Sequence, residues 1–237
     1  MSRIPVCREC LAEPQPFAAD YFCSTCGTPF ANAFPLDENG QCGLCRRGLT
    51  AFDAAYAYGS YDGALREMVQ LFKYGKVRTL AGPLGALAAA ALPRQRGFDA
   101  VTPMPMHWRR KWERGFNQAE LLAKEVARRT GLRVAPLVRR GKSTPPQAGL
   151  SRAARRTNVA GAFAVRRRAR VEGLRILLVD DVLTTGATAS ACAAVLKKAG
   201  AKYVAVLALA RADRRPAGGS ADVASFSTSD YGSMIDA

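Results

Sequence analysis

Residues 176–188 read Ile-Leu-Leu-Val-Asp-Asp-Val-Leu-Thr-Thr-Gly-Ala-Thr, and no other segment constrains the fold as much. An apolar run ends in two adjacent carboxylates, a loop of small hydroxyl residues with one glycine follows, and an alanine-rich stretch comes next. Such a run suits a parallel strand buried on both faces. Asp180 and Asp181 stand at its carboxyl end, where open α/β sheets bind ligands. Carboxylates there can bond vicinal ribose hydroxyls or a hydrated Mg²⁺. The loop, Val182, Leu183, Thr184, Thr185, Gly186, Ala187 and Thr188, offers backbone N–H groups and hydroxyls at a helix N-terminus, which favours a phosphate. Gly186 permits close backbone approach. An Asp-Asp pair alone would read as a strand-end cap; the whole segment reads as a sugar-phosphate site.

The rest of the chain from Ala51 onward alternates strand-like and helical stretches. Strands are expected at Ala54–Tyr58, Asp99–Thr102, Arg133–Val138, Leu174–Val179 and Tyr203–Leu209. Helices are expected after Asp62, which could cap one carrying Leu65, Val69 and Phe72, and over Leu80–Leu92, Phe116–Arg129 and Ala187–Ala199. Leu121, Leu122 and Val126 should face inward, and Gly200 should stop the last helix. Residues 141–160, with Pro145 and Pro146, read as a long loop. This order predicts an α/β fold with an open, mostly parallel sheet flanked by helices, spanning 51–211. The tail 212–237, with Gly218, Gly219 and five serines, is expected to be poorly ordered.

Residues 1–50 differ in kind, holding six of the seven cysteines. Too few apolar residues lie here for a core without a staple. Cys7-x-x-Cys10, Cys23-x-x-Cys26 and Cys42-x-x-Cys45 repeat one spacing, and the last two pairs are separated by 15 residues, as in a zinc ribbon. Cys23, Cys26, Cys42 and Cys45 are therefore expected to hold a structural Zn²⁺. A four-thiolate site is closed and leaves no position for catalysis. Cys7 and Cys10 exceed that site and lack a partner pair; they could be a remnant knuckle or compete for the same ion. Cys192 stands alone and reads as a small core residue.

Lys and Arg outnumber Asp and Glu by 35 to 19, which favours anionic partners. No apolar run approaches the roughly 18 residues of a membrane span, and no signal-peptide pattern opens the chain. A cytoplasmic location is expected, where thiols stay reduced and paired cysteines bind metal before they form disulfides. Gly141-Lys142-Ser143-Thr144 imitates the end of a nucleotide-binding P-loop, but its first glycine would fall at Pro136 and Pro145 forbids the helix that should follow.

Further motifs occur in order: Phe72-Lys73-Tyr74-Gly75, Pro103–Pro105, Arg114-Gly115-Phe116-Asn117-Gln118-Ala119-Glu120, Thr144-Pro145-Pro146-Gln147-Ala148-Gly149-Leu150, and Arg155 through Asn158 to Gly161-Ala162-Phe163. With the cysteine module before them and the 176–188 segment after, they resemble the ComF family of competence proteins and their GntX-like relatives over nearly all of residues 5–211. The segment itself resembles the phosphoribosyl-pyrophosphate (PRPP) loop of type I phosphoribosyltransferases. Family members often begin with a further Cys-x-x-Cys knuckle upstream, which leaves the pairing of Cys7 and Cys10 open and raises a shortened start.

The resemblance implies a phosphoribosyltransferase-like domain behind a zinc finger, active in natural transformation. Asp180 and Asp181 would hold ribose hydroxyls and Mg²⁺, and 184–188 the 5′-phosphate. Lys73 and Tyr74 would sit in the pyrophosphate loop. Arg114, Asn117, Gln118, Gln147, Arg155 and Asn158 would line or cover the site. Lys73 and Arg155 would neutralise departing pyrophosphate. The expected reaction is pentosyl transfer from PRPP to an acceptor that no motif specifies. The alternative is a non-catalytic protein that retains the site as a PRPP sensor and holds single-stranded DNA. Arginine clusters at 109–111, 139–140, 152–156 and 166–170 favour this, with Trp108, Trp112 and Phe116 among the first as stacking platforms; Trp112 and Phe116 could instead pack the following helix, and the clusters could be only the cover of a phosphate-rich active site. Other proteins of the competence machinery are possible partners. His107 reads as a surface or phosphate contact before a general base.

Overall fold

The computed structural model describes residues 4–48, 50–93, 97–141 and 161–212. Gln147, Arg155, Asn158, the P-loop imitation at 142–144 and the serine-rich tail after Ala212 lie outside the described residues.

The N-terminal segment carries helix α1 (Arg8–Ala12), a small antiparallel ribbon of β1 (Tyr21–Phe22) and β2 (Pro29–Phe30), and helix α2 (Gly43–Arg46). Strand β3 (Ala54–Ser60) and helix α3 (Gly63–Lys73) follow. A short 3₁₀ turn leads into α4 (Ala81–Ala90), then β4 (Ala100–Pro103), α5 (Trp108–Arg114) and α6 (Gln118–Thr130). A hairpin pairs β5 (Val138–Arg140) with β6 (Phe163–Val165). Strand β7 (Arg175–Leu183), helix α7 (Ala187–Lys198) and β8 (Tyr203–Arg211) complete the described chain.

The main sheet has the order β3-β8-β7-β4, and every pairing is parallel. Alternation assigns its faces. Ile176, Leu178, Val204 and Val206 pack towards α7, the hairpin and the buried cysteines. Leu177, Val179, Ala205 and Leu207 pack towards α3, α4 and α6. Both faces are covered, so β7 and β8 read as continuous apolar runs in place of an alternating pattern.

Several expectations need correction. Arg133–Val138 is not a strand: Val134 makes one isolated bridge to Val101, and regular pairing begins only at Val138. Pro136, which has no N–H to donate, lies between them. Asp62 occupies the N-cap of α3 without a side-chain bond to it; Glu13 Oε1 accepts from Ala64 N at 3.0 Å instead. The helix expected from Phe116 starts at Gln118, because Asn117 turns the chain and its Oδ1 accepts from Ala119 N at 3.2 Å. Leu122 and Val126 face inward as expected, whereas Leu121 is only partly buried. Gly200, at φ 88°, follows the last helix in the left-handed region.

Candidate functional site

Four sulfurs meet at the N-terminal knuckles. The Sγ atoms of Cys23, Cys26, Cys42 and Cys45 all lie within 4.8 Å of one another and all four residues are buried. A tetrahedral Zn²⁺ with bonds of about 2.3 Å separates its sulfurs by about 3.8 Å, and Cys26 Sγ and Cys42 Sγ are 3.8 Å apart. Backbone N–H groups of Cys26 and Cys42 point at Cys23 Sγ at 3.5 and 3.3 Å, as sulfurs with thiolate character favour. Hydrogen bonds from Cys23 and Cys45 foremost hold the Cys26 thiol far below its ordinary range. The donor set fits a closed structural zinc centre. Cys7 and Cys10 do not join it; Cys7 is exposed, and its Sγ accepts from Cys10 N at 3.4 Å. Cys192 is fully buried, and burial pushes its thiol well above the ordinary value.

The second site forms where β7 ends. Asp180 and Asp181 are its sixth and seventh residues, and Asp180 Oδ1 accepts from Asp181 N at 2.9 Å. Gly186, at φ 75°, turns the loop into α7, and Thr185 Oγ1 accepts from Ala187 N at 3.4 Å. That conformation is strained for residues with a side chain and open to glycine. Thr184 is exposed and Thr185 and Thr188 are partly so, leaving a rim of hydroxyls at the N-terminus of a 12-residue helix.

Lys73, at the end of α3, reaches this strand end: its Nζ lies 2.8 Å from Asp181 Oδ1, and both side chains are largely buried. Burial opposes charge on Lys73, but Asp181 and then Asp180 outweigh it and hold the ammonium above its ordinary value. The Asp180 carboxyl is pushed up to about 7, by burial first and then by the charge of Asp181, against the pull of Lys73 and Arg140. One strand end thus holds a carboxyl of raised proton affinity, Asp180, and the ion-paired Asp181 beside a buried cation.

The surrounding residues are tied to this frame. Gln118 is fully buried; its Nε2 donates to Lys73 O at 3.5 Å, and its Oε1 accepts from Arg114 Nη1 at 3.3 Å. Asn117 Nδ2 donates to Met104 O at 3.0 Å, just beyond β4. Tyr74 is exposed, with the Arg114 guanidinium 5.1 Å over its ring. Gln118 and Asn117 are buried parts of this frame, whereas Tyr74 offers an exposed aromatic face with the partly buried Arg114 guanidinium over it.

Two further residues stand near this strand end that sequence reasoning did not single out, although one belongs to a cluster it offered as a cover of the site. Tyr61, whose ring centre is 6.0 Å from Lys73 Nζ, sits just past β3, and its hydroxyl accepts from Gln70 Nε2 at 2.7 Å. Arg140 belongs to an arginine cluster in the sequence, but the hairpin brings it into the field of Asp180; burial, and then Arg110, push its guanidinium below its ordinary value. No local motif announces either, since each arrives through the topology. His107 is no surface residue: it is buried and caps α5, its Nδ1 accepting from Arg109 N at 3.3 Å. Phe116 is no stacking platform either; it is buried, 5.6 Å from the Phe72 ring. Trp108 and Trp112 are 65% and 85% exposed, one helical turn apart on α5.

Among the described residues, no helix is long and apolar enough to cross a membrane. Comparison with known proteins matches residues 116–231 to the family described as phosphoribosyl transferase domain. Competence protein F of Haemophilus influenzae is 33% identical over 201 residues, covering 81% of this chain and 85% of that protein. DNA utilization protein YhgH of Salmonella typhimurium is 31% identical over 196 residues, covering 80% of this chain and 83% of its own. Among solved structures, the glutamine PRPP amidotransferase of B. subtilis aligns over 55% of this chain and 26% of that one, at 24% identity and a TM-score of 0.39.

Proposed function

The chain belongs to the competence protein F family, with a phosphoribosyl transferase domain behind a four-cysteine module, and from that premise we propose that it binds PRPP with Mg²⁺ and acts in the uptake or use of DNA. The observation that carries the binding half is the Lys73–Asp181 ion pair at the end of β7, beside the hydroxyl rim of residues 184–188. An anionic sugar phosphate exchanges this internal pairing for its own: hydroxyls to the carboxylates, phosphate to the loop, pyrophosphate to the cation. The DNA role rests on the names of the relatives.

Asp180 and Asp181 would hold Mg²⁺, which supplies charge neutralisation for departing pyrophosphate. The protein's own groups do the rest. The carboxylates orient the ribose hydroxyls and ease positive charge developing on the sugar. Lys73, and Arg155 outside the described residues, meet the growing negative charge of the leaving group. In transfer, the bond between the anomeric carbon and pyrophosphate oxygen breaks, the electron pair leaves with pyrophosphate, and an acceptor lone pair forms the new bond to carbon. Gln118, through the Lys73 carbonyl and Arg114, keeps the loop after α3 in place.

Thermal melting tests this reading. PRPP with Mg²⁺ at about 100 times its dissociation constant stabilises the folded chain by about 2.7 kcal/mol, visible as a rise of several degrees, and Lys73→Met reduces it. No shift at millimolar PRPP with Mg²⁺ would sink the proposal.

A second reading has its own observation: two exposed tryptophans one turn apart, with the Arg109 guanidinium 5.3 Å from the Trp108 ring. We infer a stacking platform for single-stranded DNA, where each base–aromatic contact contributes about 1–3 kcal/mol. Trp108→Ala with Trp112→Ala weakens single-stranded DNA binding at least tenfold, and binding falls steeply with salt. Unchanged affinity in the double variant removes the platform.

A further inference from the structure

We propose that Arg211 is a positioning residue of the four-cysteine centre and ties that centre to the phosphate loop. Its place in the fold is unusual. It ends β8, a strand otherwise apolar from Val204 to Ala210, and it is a guanidinium only 3% exposed. Burying a charge is costly unless something compensates it.

Its side chain turns to the zinc knuckle. Nη1 donates to Cys26 O at 2.6 Å, and Nη2 donates to Thr28 Oγ1 at 2.6 Å. Thr28 Oγ1 lies 3.0 Å from Cys26 Sγ. Because the hydroxyl oxygen accepts from the guanidinium, its own proton is placed to donate to the sulfur. The chain of contacts runs from cation to hydroxyl to sulfur, a second layer of the kind that orients metal ligands. Four thiolates around Zn²⁺ leave two uncompensated negative charges, and Arg211 brings one positive charge to the same buried place. Gly27 fixes the fit: a Cβ on it would collide with the Ala55 carbonyl, so the knuckle lies directly on β3.

The backbone of Arg211 faces the other way. It is in register with Leu183 of β7 and Ser60 of β3, and Ala212 N donates to Leu183 O at 3.1 Å. Leu183 immediately precedes Thr184. One residue therefore joins the ligand Cys26 through its side chain to the root of the loop through its main chain. Loss of zinc releases the knuckle, frees the end of β8 and loosens residues 183–188. The coupling to the loop rests on the reading of 184–188 as a phosphate site; the effect on zinc does not.

The test uses the full chain loaded with zinc and challenged with excess chelator, release being followed with a colorimetric zinc indicator. Arg211→Met is expected to speed zinc loss by about 10–100-fold, the range for second-layer partners of metal ligands. Thr28→Val, which keeps shape and deletes only the hydroxyl relay, speeds it by a smaller factor. If Arg211→Met does not fold, Thr28→Val decides alone. Release rates in the folded variants indistinguishable from the parent overturn the positioning role. Hydrogen exchange on the parent before and after zinc removal reads the coupling: amides of 183–188 should gain exchange together with 23–28. Faster exchange confined to 23–28 overturns the coupling. Neither readout contains PRPP, so failure to bind PRPP is a separate result.

Discussion

Asp180 is a single residue that costs the fold stability at neutral pH. Its carboxyl is pushed up to about 7 by burial and by Asp181, whereas in an unfolded chain it titrates near ~3.9. Across that window the native state holds a proton that the unfolded state has released. Its contribution to stability is therefore greatest below about pH 4 and is lost as pH rises through about 7. Asp180→Asn keeps the acceptor for Asp181 N and removes the charge. Without added Mg²⁺ the variant should melt above the parent at pH 8, the gap closing towards pH 4; an equal gap at both pH values contradicts this. The carboxylates and the cysteine pairs stand in short motifs with their own chemistry, whereas Lys73 was set beside the carboxylates only by the family resemblance. Tyr61 was not legible in the sequence, because Gln70 and Lys73 reach it only once α3 forms, and neither were the places of Arg140 and Arg211, whose partners lie far along the chain. For Arg211 a faint signal existed: a lone charge closing a wholly apolar strand.

Elements were legible where packing is simplest. Strands β3, β7 and β8 are read from their apolar runs, and α7 from its start at Gly186 and its stop at Gly200. The hairpin β5–β6 was not, since its two strands are separated by more than twenty residues and pair for only three. Helix α5, thick with Arg, Lys and Trp, carries no apolar stripe and buries no residue, so its periodicity is silent. Helices α4 and α6 meet through a glycine. A Cβ on Gly85 would collide with Glu125 Cβ, whereas one on Gly82 of the same helix meets nothing within 4 Å. Gly85→Ala is expected to lower urea-unfolding stability by about 1–2 kcal/mol, overpacking outweighing the helix-propensity gain. Gly82→Ala should raise it by up to about 1 kcal/mol. The same sign for both would mean that the helices part freely and that the close approach is not a constraint.

The whole molecule is more unified than its composition implies. A boundary at residue 50 follows the change from cysteine-rich to α/β sequence, yet the four cysteines share one buried cluster with Ala55, Val206 and Ala208 of the sheet. The module is a knuckle laid on a sheet face, and a composition profile cannot see that contact. On the opposite face, α3 delivers Lys73 to the strand end that carries the carboxylates. Binding of PRPP with Mg²⁺ at this strand end, proposed to run through Asp180 and Asp181, is what the rest stands on. Calorimetric titration of PRPP with Mg²⁺ into the parent chain and into the Asp180→Asn/Asp181→Asn variant tests it most directly. Hydrogen bonds to charged groups contribute about 1.5–3 kcal/mol each, so the parent should show saturable, Mg²⁺-dependent binding and the variant a loss of about 100-fold or more. A folded variant that binds PRPP as tightly as the parent would contradict it.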